Sequence, residues 1–468
     1  LLRFLDNGSN TFMSLAMESA LGPRPSEEEA SPARRAVAGE VLRAAANALL
    51  LPLRSAGYLA RARSLRRGLA ADLERARAVE DAPPPSALPG RPLRLFVASA
   101  EPSGERHAVR LIGCLREELA RAGAPAPEIL ALGGARTRAL GVETVGDPLA
   151  RAAMGLDPLR SLPFYARLLA RTGDALARFR PDLVVPVDSP ALFVPLARIA
   201  RRAGLRSAHF VAPQYWAWAP WRVRAYREAF GLALTILPFE PGWFERHGVR
   251  TAHVGHPALD GLAPAPPGDD PGRKTLVLLP GSRSAVIARN LPWMLGVARE
   301  LQRRHPSLAF VLANEREDLR AELVAGLRAA GASELVRLAL GDLHSELARA
   351  RAALTVSGTV LIDLLHHRLP AAVVYRVGSA FASRAAPHLL SVPWFSSVNL
   401  LARAPVYWEA CFHGEGPRAA CLAHLEQALF ESGFRERQEI ELDAAAARLG
   451  PSGATPRAAR HLLRLAAS

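Results

Sequence analysis

The chemistry this sequence can offer is concentrated in two turns and two carboxylates. Thr355-Val356-Ser357-Gly358-Thr359 reads as the end of a short buried strand entering a turn, with a helix from Val360 to His367 behind it. Small residues ahead of a helix leave backbone N–H groups facing outward, which suits a phosphate, although the same pattern also serves as an ordinary N-cap. Asp363 lies four residues past Thr359, one helical turn along the same face, where a carboxylate reaches a ribose hydroxyl. Pro280-Gly281-Ser282-Arg283 closes an earlier apolar run in the same manner. Two such turns with Asp363 describe a diphosphate-ribose site, as for a nucleotide sugar, and Arg283 is suited to neutralising a leaving diphosphate without a metal. Asp188 stands at the end of another apolar run. There it fits either a general base that takes a proton from an acceptor hydroxyl or an N-cap for the helix beginning near Leu192. Glu101 is the second candidate carboxylate. His209 and His256 also stand at strand ends, where a single histidine is more often structural.

The elements that must hold these residues alternate. Strands are expected at 93–98, 128–132, 182–187, 207–211, 232–237 and 251–254, then at 275–279, 308–312, 352–356 and 371–375. Helical patterns separate many of them, and polar or glycine turns follow their C-terminal ends. This argues for an α/β protein with two Rossmann-like domains facing a cleft, the ligand lying beyond the C-terminal ends of the strands. The turn-rich run from Pro264 to Gly272 is the natural hinge. The expected domains are 91–262 and 273–405, with a C-terminal helical segment at 406–468. Residues 1–90 read as an extension, partly disordered and partly helical. Its Ala/Leu/Arg pattern between Arg34 and Arg77 suits either a membrane surface or packing on the main domain.

Composition narrows the function classes. The 468 residues carry a formal charge of +15, with Lys274 the single lysine. The arginines are spread along the whole chain and aromatics are few, which argues against nucleic acid and favours attraction to an anionic membrane surface. No stretch of about 20 apolar residues lacks charge or proline, so no spanning helix is expected. Cys114, Cys411 and Cys421 lie far from any ligand spacing and fit a reducing compartment. Neither a metal nor a cofactor is implied.

Ten short pieces then fall in one order: Ala100-Glu101-Pro102-Ser103-Gly104-Glu105, Met154-Gly155, Val187-Asp188-Ser189-Pro190, Ala212 to Trp218, Leu237 to Glu240, Val254 to Pro257, Leu279 to Arg283, Ser357 to Thr359, Tyr375-Arg376, and Asn399 to Leu401. In these the chain from about Leu93 to Ser468 resembles the lipid-A-disaccharide synthases, inverting glycosyltransferases of the GT-B fold. The resemblance implies transfer of 2,3-diacylglucosamine from its UDP derivative to 2,3-diacylglucosamine 1-phosphate, an acylated glucosamine phosphate. It places Asp188 as the acceptor-activating base. Gly281, Ser282, Arg283, Ser357, Gly358, Thr359, Asp363, Tyr375 and Asn399 fall on the donor nucleotide. Glu101, Ser103, Gly104, Met154, Gly155 and Trp216 fall on the acceptor side. It further implies a cytoplasmic protein held peripherally on the inner membrane, often a homodimer that exchanges C-terminal segments. The stretch from Met154 to Phe179, with Leu159, Leu162, Phe164, Tyr165, Leu168 and Leu169 beside Arg160, Arg167, Arg171 and Arg178, would meet the membrane or pack on the sheet.

The chain departs from the family's pattern at several positions. Asp363 replaces a glutamate, Val286 and Ala191 replace acidic residues, Pro158 or Asp157 stands where one follows Met154-Gly155, and Arg403-Ala404 replaces Gly-Arg. A divergent or inactive paralogue that binds a UDP-sugar, and a UDP-sugar 2-epimerase of the same architecture, are the alternatives these residues leave open.

Overall fold

The computed structural model describes residues 32–84, 88–149, 162–263 and 274–468. Two parallel sheets organise it. The first comprises β1 (Arg94–Ser99), β2 (Glu128–Leu132), β3 (Glu143–Thr144), β4 (Leu183–Val187), β5 (Ala208–Phe210), β6 (Leu232–Thr235) and β7 (Thr251–His253), in the order β3-β2-β1-β4-β5-β6-β7. The second comprises β8 (Thr275–Leu279), β9 (Ala309–Asn314), β10 (Val336–Leu340), β11 (Ala352–Val356), β12 (Ala371–Arg376) and β13 (Trp408–Phe412), in the order β10-β9-β8-β11-β12-β13. Every strand pair is parallel. The α/β, two-Rossmann reading therefore holds.

The central strands are apolar throughout because both their faces are covered. In β1, Leu95 and Val97 join one core with Leu111, Ile112 and Leu115 of helix Pro102–Arg121. Phe96 and Ala98, on the other face, join Phe193 and Leu196 of helix Pro190–Arg202 and Leu176 of helix Leu162–Phe179. Period-two alternation in a fully buried strand thus feeds two separate cores.

Contacts divide the chain into two units, one of Gly261–Gly450 and one that ends at Asp260 and then takes up Pro451–Ser468. The sequence grouped 406–468 as one segment. In the structure β13 and helices Arg418–Phe430 and Ser432–Leu449 stay with the second sheet, while the last helix, Ala454–Ala467, packs in the first unit. Its stripe of Ala458, Ala459, Leu462 and Leu463 enters the core beside Leu111. The buried Asp260 carboxylate accepts from the N–H groups of Gly453, Ala454 and Thr455 at 2.7, 2.9 and 2.7 Å, satisfying donors a helix start cannot satisfy itself.

The extension is part of the first unit where the structure describes it. Helices Pro32–Leu49 and Leu51–Glu74 meet at a bend of 56°. Val37 joins the core of Leu176 and Ile199, and a Cβ on Gly173 would come within 2.8 Å of Ala33 Cβ. Asp72, buried near the far end, pairs with Arg246. No single described helix is long and apolar enough to cross a membrane. Helix Leu162–Phe179 packs on the sheet through Leu168, Leu169 and Leu176, with Phe164 and Tyr165 half-buried.

Candidate active site

In the second unit the two phosphate-suited turns leave neighbouring strands at the same end. β8 and β11 pair in parallel with Thr355 opposite Leu279, so residues 280–283 and 357–359 emerge side by side. Gly281 has φ +102°, and a Cβ there would lie 3.1 Å from both Val356 Cγ2 and Val286 Cγ1. Conformation and space both call for glycine. The turn's carbonyls are tied back: Asn314 Nδ2 donates to Gly281 O at 2.8 Å, and Arg316 Nη1 donates to Ser282 O at 2.8 Å. Ser282 and Arg283 are exposed, and so are Gly358 and Thr359 across from them. Val286, where the family pattern is acidic, packs against this turn.

Around this pair the expected residues separate into surface and support. Ser357 Oγ donates to Phe395 O at 3.3 Å. Tyr375, half-buried at the end of β12, sits opposite Cys411 in the register with β13. Asp363 keeps 14% side-chain exposure, and its Oδ1 lies 3.9 Å from His344 Nε2. His344 Nδ1 in turn lies 3.1 Å from His367 Nε2. The histidine pair comes from helix Leu343–Arg349 and from the turn that closes helix Val360–His366, and no sequence spacing announced it. Asn399 is fully buried: its amide donates to Tyr407 O at 2.8 Å and to Glu409 Oε2 at 3.2 Å, and its Oδ1 accepts from Tyr407 N at 2.8 Å. The expectation that it faces the nucleotide gives way to a scaffolding role, because its polar atoms are spent inside the fold.

Glu409 was not singled out in the sequence. Its carboxylate accepts from Phe395 N at 3.0 Å, Ser396 N at 2.9 Å and the Asn399 amide. Burial pushes its pKa up to about 7, against the pull of those hydrogen bonds. It shapes the segment whose Phe395 carbonyl receives Ser357.

In the first unit, β1 and β4 pair with Ser99 opposite Val187, so the turn after Ala100 lies beside Asp188. A Cβ on Gly104 would come 3.2 Å from Val187 O and 3.6 Å from Asp188 Cβ, which is why helix Pro102–Arg121 can start so close. Glu101 and Ser103 are half-buried on this turn. Asp188 and Ser189 both have left-handed backbones, φ +57° and +47°, and Val211 at the end of β5 has φ +65°. Such conformations cost non-glycine residues about 1–3 kcal/mol each and persist only where the surroundings impose them.

The clamp is His209. Asp188 N donates to Phe210 O at 2.9 Å, and Asp188 O accepts from His209 Nε2 at 2.8 Å. A carbonyl only accepts, so Nε2 carries the hydrogen and Nδ1 takes the Tyr226 hydroxyl at 3.1 Å. Burial lowers the His209 pKa to about 4, keeping the ring neutral. His256 is likewise buried, its pKa lowered to about 3, and its Nδ1 accepts from Ala258 N. Both histidines are structural. Trp216, expected on the acceptor side, is 2% exposed and donates through Nε1 to the buried Glu240 at 3.0 Å. An indole so enclosed builds the core that supports the strand ends. Met154 and Gly155 lie outside the described residues. Among the described residues no His, Cys, Asp and Glu cluster could hold a metal ion.

Comparison with known proteins gives the family. The family model "Lipid-A-disaccharide synthetase" matches residues 95–443. The Myxococcus xanthus lipid-A-disaccharide synthase is 31% identical over 384 residues, covering 80% of this chain and 98% of that protein. The Pseudomonas aeruginosa enzyme of the same name is 31% identical over 382 residues, covering 80% and 98%. In fold, the chain is similar to the S. aureus MnaA-UDP co-structure, with a TM-score of 0.52 at 12% identity over 78% of this chain and 94% of that one. The chain belongs to the lipid-A-disaccharide synthase family of glycosyltransferases.

Proposed function

We propose that this protein transfers 2,3-diacylglucosamine from UDP to 2,3-diacylglucosamine 1-phosphate in lipid A biosynthesis, with inversion and without a metal. The observation that carries this reading is the side-by-side emergence of the 281–283 and 357–359 turns from paired strands, in a chain of this family. The donor's diphosphate lies on those turns, with Arg283 beside it, and Asp363 serves the ribose. The acceptor hydroxyl attacks the anomeric carbon as the bond to the diphosphate breaks. The bonding pair leaves with UDP, and the hydroxyl proton passes to Asp188. Glu101, Ser103 and Gly104 flank Asp188 on the acceptor side.

The acyl chains of both substrates place the reaction at an anionic membrane surface, with the protein held peripherally on the cytoplasmic face. The test is to mix purified protein with both lipid substrates and follow disaccharide and UDP release. Formation of the β-1,6-linked product with no added metal supports the proposal. UDP binding without product would make the chain an inactive relative, and epimerisation of a free UDP-sugar without acceptor would replace the reading altogether.

A further inference from the structure

The extension ahead of the family-matched residues holds a surface that the glycosyltransferase reading does not use. Among the described residues eight large apolar side chains are exposed, and five of them, Leu42, Leu49, Leu50, Leu53 and Leu59, fall around one helix joint. Leu49 and Leu53 are 76% and 71% exposed. From residue 41 to 57 no side chain is buried, whereas the two helix ends are pinned through Ala33 and Val37 on one side and Leu69, Asp72 and Leu73 on the other. Among the described residues, the joint is therefore the unpartnered part of an otherwise docked pair.

Its charge is of one sign. Arg43, Arg54, Arg61, Arg63, Arg66 and Arg67 lie between Glu40 and Asp72, and no acidic residue separates them. Glu40 and Asp72 are themselves buried and paired with arginines. Beside Arg43, a recess of ≈ 280 Å³ is lined by Arg198, Arg201, Arg202 and Glu228. Arg43 precedes Leu49 by six residues, about 9 Å of helix, comparable to the depth at which interfacial helices seat their apolar face, about 5–10 Å. Leucines at the tip and guanidiniums one insertion depth behind match acyl chains under a layer of phosphates. A second copy of the same joint would set arginines against arginines.

We propose that this leucine joint anchors the protein to an anionic phospholipid bilayer, with Leu49, Leu50 and Leu53 entering the acyl layer and the flanking arginines engaging lipid phosphates. The anchor lies outside residues 95–443 and does not depend on the reaction assigned to them.

The experiment measures binding of the full chain to phosphatidylcholine vesicles with and without phosphatidylglycerol. Wild type is expected to bind the anionic vesicles, with binding weakened by salt. Leu49→Glu with Leu53→Glu should reduce affinity roughly tenfold or more, and Arg61→Gln with Arg63→Gln severalfold while flattening the salt dependence. Circular dichroism and UDP binding should stay unchanged in both. An environment-sensitive dye on Leu53→Cys should shift only when vesicles are added. A shifted signal without vesicles would mean that residues 1–31 or another copy already cover the joint, which sedimentation velocity tells apart, and either overturns the proposal. So does wild-type vesicle binding by the double leucine variant. Turnover of detergent-dispersed substrates reports on the catalytic reading separately.

Discussion

The carboxyl edges of the two sheets solve the same problem by opposite means. In the second unit the 280–283 turn is relaxed, because Gly281 takes a positive φ at no steric cost and leaves room for Val356 and Val286. In the first unit the corresponding edge is strained, with Asp188, Ser189 and Val211 held left-handed despite their side chains. A backbone that cradles an anion needs close approach, which glycine gives. Asp188 carries a side chain there, so its conformation is enforced from behind by His209 and the Phe210 carbonyl instead.

The comparison can be broken most sharply at Asp188. Asp188→Asn keeps size and backbone but removes the proposed base, and should lower kcat by about 10²–10⁴-fold with UDP affinity unchanged, measured by turnover and calorimetry. Full activity in this variant would leave the strained edge without a catalytic purpose.

Acid distinguishes the units next. Burial lowers His107, His209 and His253 to about 4 and His256 to about 3. Between those values and the unfolded pKa near 6.5, the native state binds fewer protons than the unfolded chain, so stability falls as pH drops through this window. Each such histidine is worth on the order of 3 kcal/mol once the loss is complete. Glu240, raised to about 7, opposes them, since its native form binds more protons between about 4.5 and 7. Burial raises Asp72 as well, so it opposes them too, and four against two still leaves the first unit the more acid-labile. In the second unit His424, lowered to about 4, and His366, lowered by burial, are opposed by Glu409, raised to about 7. Hydrogen exchange between pH 6.5 and 4.5 should show the first sheet losing protection ahead of the second.

Gly281→Ala tests the relaxed edge. Strain at φ +102° together with the two valine contacts should cost about 1–3 kcal/mol, read as a lower denaturation midpoint, and UDP binding should weaken with it. The smallest effect is expected from Glu409→Gln. The amide replaces one accepting oxygen with a donor opposite Phe395 or Ser396 N–H, loosening the segment that receives Ser357. We expect a severalfold rise in donor KM with kcat nearly kept. Because ionisation of Glu409 near pH 7 is removed, stability should also no longer decline as pH rises through that value from this group.

Much of this was legible in the residues, and the misses share a cause. The ten strands read from the sequence are all present, since a strand buried on both faces writes a continuous apolar run. The three not foreseen, β3, β10 and β13, each lie at a sheet edge. There one flank is unpaired and burial is partial, as in Val336–Leu340, so the apolar signal fades. Trp216 and Asn399 were assigned to ligands from their motifs, but an aromatic or amide beside a site is as useful behind it as in front.

What the sequence determined by itself was local: which strands end in small-residue turns, where Asp188, Gly281, Arg283 and Ser357 fall relative to those ends, and that arginine dominates the charge. Tertiary structure decided everything that depends on distant partners. It set the 281–283 turn beside 357–359, put His209 behind Asp188 and Glu409 behind Ser357, and sent the last helix back to Asp260. Strand pairing and buried hydrogen bonds join residues far apart in the chain, and spacing along one strand or helix carries no record of them.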